Sequence, residues 1–222
     1  MSKSSNLFAI IDQYVADLFV PPDEALESAL AEAKSAGLPD IQVSPTQGKC
    51  LYLLAKLMGA RRILEIGTLG GYSTLWLARA LPEGGRVVTL ELESAHAEIA
   101  AANLKRAGLA AKVEIVVGPA LETLPRVCGA GQPFDLVFID ADKENYCRYF
   151  TQVMTAVHSG SLILADNVVR NGAVLAPPRD DSAAQATRAF NAMIAADPRL
   201  EAVVLQQVGV KGHDGMALAR VR

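Results

Sequence analysis

A chain of 222 residues is long enough for one generous domain that buries most of the apolar surface of its unfolded form. Its 21 Lys and Arg are scattered and outnumbered by 24 Asp and Glu, so no basic stripe offers itself to a nucleic-acid backbone or an anionic membrane. Although 51% of the residues are hydrophobic, charges interrupt every apolar run before the roughly 18 residues a membrane-crossing helix needs, and Asp12 breaks the first run too early for a secretory signal. A cytoplasmic protein with neither nucleic-acid nor membrane partner is expected. Cys50, Cys128 and Cys147 are odd in number and lack C-x-x-C spacing, which predicts reduced, packed thiols rather than a disulfide framework or a zinc site. His96, His158 and His213 lie far apart in no metal-ligand pattern.

In chain order, Leu7 to about Phe19 and Asp23 to Ser35 repeat apolar residues at helical spacing, with Asp23 placed to cap the second run. These predict an N-terminal helical annex over 1–42, followed by a core over 43–222, with the whole chain as one domain. Ser44-Pro45-Thr46-Gln47 supplies an N-cap, a proline at the first helical position and a Gln three residues after the cap, predicting a helix to about Met58. Beyond it, short apolar strands are predicted at Arg62–Ile66, Val87–Leu90, Val113–Val117, Leu136–Ile139 and Leu162–Ala165. They alternate with helices at Tyr72–Ala80, Ala95–Ala107, Ala120–Val127, Asn145–Val157 and Ala183–Ala195. Two closing strands, near Ala202–Leu205 and Met216–Arg220, complete a seven-stranded sheet, the last as an antiparallel hairpin partner. The fold expected is α/β: a Rossmann-like, doubly wound, mostly parallel sheet with helices on both faces. In such sheets ligands bind at the carboxyl ends of the strands, near the point where strand order reverses.

The residues at those strand ends carry the chemistry. After the first strand, Glu65-Ile66-Gly67-Thr68-Leu69-Gly70-Gly71-Tyr72-Ser73 is a glycine-rich turn that lets backbone N–H groups approach a ligand; a tight strand-to-helix connection needs the same glycines. Its spacing is not G-x-G-x-x-G, which argues against a dinucleotide cradle. Glu91 ends the second strand, where an acid can accept both hydroxyls of a ribose; Glu93 is a possible decoy on the same edge. The fourth strand runs into Asp140-Ala141-Asp142-Lys143 and the fifth into Asp166-Asn167. Three hard oxygen donors, Asp140, Asp166 and the Asn167 amide, suit Mg2+, Mn2+ or Ca2+; alternatively the acids cap the helices that follow. Beside a metal, positive charge disfavours a lysine's ammonium form, so Lys143 is a candidate general base. Arg61 and Arg62, at the opposite edge, are expected to be only solubilising.

Taken together, Leu64-Glu65-Ile66-Gly67 through Tyr72-Ser73, Phe138-Ile139-Asp140-Ala141-Asp142-Lys143 and Ala165-Asp166-Asn167 resemble the metal-dependent O-methyltransferases, the family of catechol and caffeoyl-CoA O-methyltransferases and their bacterial relatives. The resemblance runs from about Val43 to the closing strand. It implies that Val43, Glu65, Gly67, Thr68, Ser73, Glu91, Ala120 and Asp142 line an S-adenosylmethionine pocket that Asp140 adjoins. Glu91 would hold the ribose, Ala120 would lie against adenine, and the others would surround the methionine end. It further implies Asp140, Asp166 and Asn167 as metal ligands, Lys143 as base, and Asn171 with Lys143 as contacts to the acceptor. In catechol-type members a His and a Trp follow the first ligand; here Ala141 and Asp142 stand there, as in the caffeoyl-CoA-like and bacterial branch. The segment Gly118-Pro119-Ala120 also lacks the polar side chains of the catechol enzyme, so packing and backbone groups must hold the adenine. The implied reaction transfers methyl to a vicinal-dihydroxy phenol chelated by the metal. An NAD-linked oxidoreductase and a non-catalytic S-adenosylmethionine-binding domain are the alternatives. Acceptor choice is expected to lie in the annex and in 168–181, a candidate lid. Homodimerisation is expected from the relatives, with the apolar N-terminal helix as a candidate contact unless it covers its own chain.

Overall fold

The computed structural model describes residues 3–222, with side chains from Leu7 onward. Eight α-helices are described: α1 (Lys3–Phe19), α2 (Glu24–Ser35), α3 (Pro45–Leu57), α4 (Tyr72–Ala80), α5 (Ser94–Arg106), α6 (Ala120–Gly129), α7 (Tyr146–Val153) and α8 (Ser182–Ala196). The strands are β1 (Arg62–Ile66), β2 (Arg86–Glu91), β3 (Val113–Val117), β4 (Phe134–Ile139), β5 (Val157–Ala165), β6 (Leu200–Gly209) and β7 (Gly212–Val221). The seven strands belong to a mostly parallel Rossmann-like sheet, the α/β class expected. No described helix is long and apolar enough to cross a membrane.

Two compact units divide the chain, one of them Val15–Thr123. There the strands lie in the order β3-β2-β1, all parallel, with Ile66 of β1 opposite Leu90 and Glu91 of β2 opposite Val117. Ile63, Leu64 and Ile66 are fully buried, as expected of strands covered on both faces. The other unit takes in the chain up to Tyr14 and Leu124–Arg222. Its strands run β4-β5-β7-β6; β4 and β5 are parallel, and β7 is antiparallel to both β5 and β6.

Local chemistry accounts for the helix starts. Ser44, in extended conformation, accepts from the Gln47 N–H, and Pro45 occupies the first turn where its missing N–H is harmless. Asp23 accepts from the Leu26 N–H at 3.0 Å and caps α2. Two expectations need correction. The helix expected over Asn145–Val157 is a 3-10 turn (Lys143–Asn145) followed by α7, which stops at Val153. Ala156 accepts from the Phe134 N–H and Val157 pairs with Phe134, so sheet pairing overrides the helical spacing. Arg61 and Arg62 are more than solubilising: Arg61 donates to the Glu83 carbonyl, and Arg62, the first residue of β1, is half-buried.

Asp23 does a second job. Arg79 of α4 grips both its oxygens at 2.8 Å, a bidentate pair that ties α2 to α4. This hydrogen-bonded guanidinium, against the opposing effect of burial, holds the Asp23 carboxyl below the usual aspartate range. A depressed folded-state pKa means stability that is present above the unfolded value and lost as pH falls through the folded one. Asp23→Ala should therefore cost about 1 kcal/mol at neutral pH, from the lost cap alone. In urea melts the gap to wild type should narrow once the pH falls below about 4.

Candidate active site

In the unit Val15–Thr123, the glycine turn after β1 is shaped by two buried carboxylates. Glu65, on β1 and 0% exposed, accepts from the Thr74 hydroxyl of α4 at 2.5 Å and from the Thr89 hydroxyl of β2 at 2.7 Å. Thr89 has one proton and gives it to Glu65, so the 2.6 Å contact between Thr68 and Thr89 must be donated by Thr68. A chain of hydroxyls thus links the turn to the carboxylate beneath it. From the other side Glu91, 7% exposed at the end of β2, accepts the N–H groups of Thr68 at 3.2 Å and Leu69 at 2.7 Å through one oxygen. Its second oxygen accepts the Glu93 N–H at 3.0 Å and lies 3.4 Å from His96 Nδ1. Three backbone donors fill most of the lone-pair sites of a carboxylate and leave room for a further donor such as a ribose hydroxyl. Glu93 itself is exposed, so of the two acids it is Glu91 that faces the turn.

Backbone conformation completes this half. Gly67 has φ 104, and Gly71 has φ 82 with Ala100 so close that an added Cβ would stand 3.1 Å from the alanine Cβ. As the N-cap of α4, Gly71 supplies no side-chain oxygen, so the first-turn N–H groups are open to an anionic ligand. Ser73 sits half-buried in that first turn, Val43 is buried just before the α3 cap, and Ala120 opens α6.

The other unit gathers the remaining candidates. Because Ile139 pairs with Ala165, the next residues, Asp140 and Asp166, leave adjacent parallel strands side by side, and the Asp166 N–H donates to the Ile139 carbonyl at 3.0 Å. Asp166 is 4% exposed. Lys143 Nζ donates to Asp140 Oδ1 at 2.9 Å and to the Tyr146 hydroxyl at 2.7 Å, while that hydroxyl faces the carbonyls of Ile139 and Asp166. Burial first, then the charges of Asp140 and Asp166, push the Tyr146 phenol well above its ordinary range, so it stays protonated. Tyr146 therefore bridges both strand ends and orients Lys143. Asp142 is turned instead toward the Asn145 amide and the Tyr149 hydroxyl. Asn171 Oδ1 accepts from the His213 N–H at 3.2 Å, leaving its amide hydrogens for a ligand.

Whether these residues fit a divalent cation can be judged from their chemistry. Among the described residues no cluster of three or more His, Cys, Asp or Glu could hold a metal. The set here is two carboxylates and an amide, hard oxygen donors of the kind Mg2+ takes together with water and substrate. Asp166 is buried and Asp140 draws the Lys143 ammonium, so the ends of β4 and β5 gather negative charge of the kind a cation offsets. The donor set fits. Asp140 and Asp142 make no cap bond to the turn that follows them, which removes helix capping as their purpose there.

Sequence reasoning missed Tyr146, Thr74, Thr89 and Asp214. Only Tyr146 left a signal, three residues beyond Lys143 at helical spacing; the others meet their partners across strands and loops.

The mostly parallel seven-stranded sheet, with a glycine turn after its first strand, defines a Rossmann-like α/β fold. The O-methyltransferase family profile matches residues 22–222, and the chain belongs to that family. It is 53% identical to a catechol O-methyltransferase of Mycobacterium tuberculosis over 212 residues, covering 96% of this chain and 95% of that one. It is 49% identical to a catechol O-methyltransferase of Niastella koreensis over 221 residues, 99% and 100% of the two chains. The O-methyltransferase of Bacillus cereus, solved in complex with SAH (S-adenosylhomocysteine), superposes with TM-score 0.95 at 49% identity, covering 98% of this chain and 99% of that one. The chain is an O-methyltransferase, and the oxidoreductase and non-catalytic alternatives fall away.

The hydroxyl network beneath the turn can be tested alone. Thr89→Val removes one donor to Glu65 and the acceptor of Thr68 while conserving shape, and each orphaned buried group costs about 1–3 kcal/mol. Urea unfolding should show a loss of that size; a loss under about 0.5 kcal/mol would mean the network is not holding the turn.

Proposed function

We propose that this enzyme moves a methyl group from S-adenosylmethionine to one oxygen of a vicinal-dihydroxy phenol, catechol-like or caffeoyl-type, in a reaction that requires a divalent cation. The observation that carries the metal requirement is the in-register pairing of β4 and β5, which sets Asp140 and Asp166 side by side with Lys143 against the first of them. Support for the donor comes from the similarity to a protein solved with SAH, and support for a phenolic acceptor from two relatives described as catechol O-methyltransferases. The departure at Ala141 and Asp142 keeps the acceptor class broader than catechol itself.

Glu91 and the N–H groups of the glycine turn would bind the adenosine and methionine ends of the donor, with Val43, Ser73 and Ala120 adding contacts. Asp140, Asp166 and Asn167 would hold the cation, Mg2+ fitting the oxygen donors best, and its Lewis acidity would lower the pKa of a coordinated phenol. Lys143, as free amine, takes the phenol proton onto Nζ, and Tyr146 and Asp140 keep that nitrogen aimed. The phenolate oxygen then forms its bond to the methyl carbon as the sulfur–methyl bond breaks. Charges cancel during transfer, so the protein's main contribution is positioning and exclusion of water.

The family match spans both compact units, which supports treating the chain as one catalytic domain. A homodimer is part of the same proposal, supported by α1, which leaves Leu7, Ile10, Ile11, Tyr14, Leu18 and Phe19 exposed. A cytoplasmic setting is supported by three cysteines that are all free, Cys128 being pushed up to about 11 by burial and hence unreactive.

The deciding experiment is methyl transfer to a panel of vicinal phenols, including caffeoyl thioesters, with and without chelator. Activity should vanish on chelation and return with Mg2+; a rate indifferent to chelator overturns the metal requirement. Lys143→Ala should lower kcat by about a hundredfold or more while leaving SAH affinity within about twofold. Equal losses in both would make Lys143 structural rather than catalytic.

A further inference from the structure

Asp214, in β7, lies outside every motif discussed so far, yet one of its oxygens accepts three backbone N–H groups. Val169, Arg170 and Gly215 all donate to Asp214 Oδ1 at 2.9 Å. Its neighbours grip the same segment: the Val168 N–H donates to the Gly215 carbonyl at 3.0 Å, and the His213 N–H donates to Asn171 Oδ1 at 3.2 Å. The approach is close enough that a Cβ on Gly215 would come within 2.6 Å of Val169 Cγ2.

What is gripped is the most contorted backbone among the described residues. Asn167, Arg170 and Asn171 have φ of 57, 53 and 51, left-handed values that asparagine tolerates but that Arg170 adopts only when its surroundings hold it there. The run contains one candidate metal donor, Asn167, and one candidate acceptor contact, Asn171.

We propose that Asp214 is a positioning residue of the acceptor site: by accepting the Val169 and Arg170 N–H groups it fixes the left-handed run that aims Asn167 and Asn171. The proposal rests on the assignment of those two asparagines under the proposed function. It touches neither metal nor acceptor itself, and acts through the backbone it holds.

Four readouts test it on Asp214→Ala and Asp214→Asn. They are amide exchange over 167–173 in the free protein, Mn2+ affinity by electron paramagnetic resonance, steady-state kinetics with a vicinal diphenol, and SAH affinity by calorimetry. In Asp214→Ala, exchange over 167–173 should rise, Mn2+ Kd and acceptor KM should rise about tenfold, and SAH Kd should stay within about twofold. Asp214→Asn keeps an accepting Oδ1 and should bring each value back to within about threefold of wild type. Unchanged exchange over 167–173 overturns the proposal, as does a fall in SAH affinity parallel to that in Mn2+ affinity. Should the alanine variant not fold, the asparagine variant decides by the same comparison, its smaller change confined to this segment or shared with SAH binding. A wild-type protein that binds no Mn2+ and methylates no diphenol defeats the proposed function instead, and the exchange result still decides whether Asp214 holds the run.

Discussion

A carboxylate withdrawn from water must be met by donors or by positive charge, and this protein places an acid at or beside the carboxyl ends of β1, β2, β4 and β5. Glu65 meets the requirement with hydroxyls, Glu91 with backbone N–H groups, and Asp140 with the Lys143 ammonium. Each solution fixes a neighbouring piece of chain. Because Glu65 has no water to fall back on, the Thr74 and Thr89 hydroxyls must point at it. The register of β1 against β2 and the rotation of α4 follow from that demand as much as from apolar packing.

The same constraint separates two kinds of acid. Glu65 is enclosed, and the Thr74 and Thr89 hydroxyls both meet its Oε2, which makes it part of the scaffold of the turn. Asp140 is partly exposed and shares its lysine with a tyrosine whose phenol is held neutral by burial and by the neighbouring carboxylates. A neutral phenol beside Lys143 gives Nζ a fixed hydrogen-bond partner without a second negative charge, and so holds the lysine in place. Burial thus turns an ordinary tyrosine into a rigid support.

The sequence made legible what depends on local chemistry and what depends on period. Ser44-Pro45 announces the start of α3, alternating apolar runs announce the sheet, and the acids that end β2, β4 and β5 stand where strand ends deliver them. What stayed hidden depends on pairing across space. The run to Val157 keeps helical spacing, but Val157 has a strand partner in Phe134 and the helix gives way. Thr89 reads as any β-branched residue in a strand, and only its register beside Glu65 makes it a donor. Asp214 sits far along the chain from the segment it holds, and no spacing rule connects them.

This contrast bears on how acceptor choice can vary within one fold. The turn that would hold the donor is braced by side chains, so substitution at Glu65, Thr89 or Glu91 removes buried hydrogen bonds and weakens the fold as well as the site. The segment after Asn167 is braced by backbone N–H groups that meet a single carboxylate. Any residue able to adopt the required φ supplies the same N–H, so side chains such as Val169 and the largely exposed Leu175 can change without loosening the clamp. The two segments therefore differ in what a substitution costs: the turn after β1 loses buried hydrogen bonds, whereas the segment after Asn167 keeps its N–H groups on Asp214.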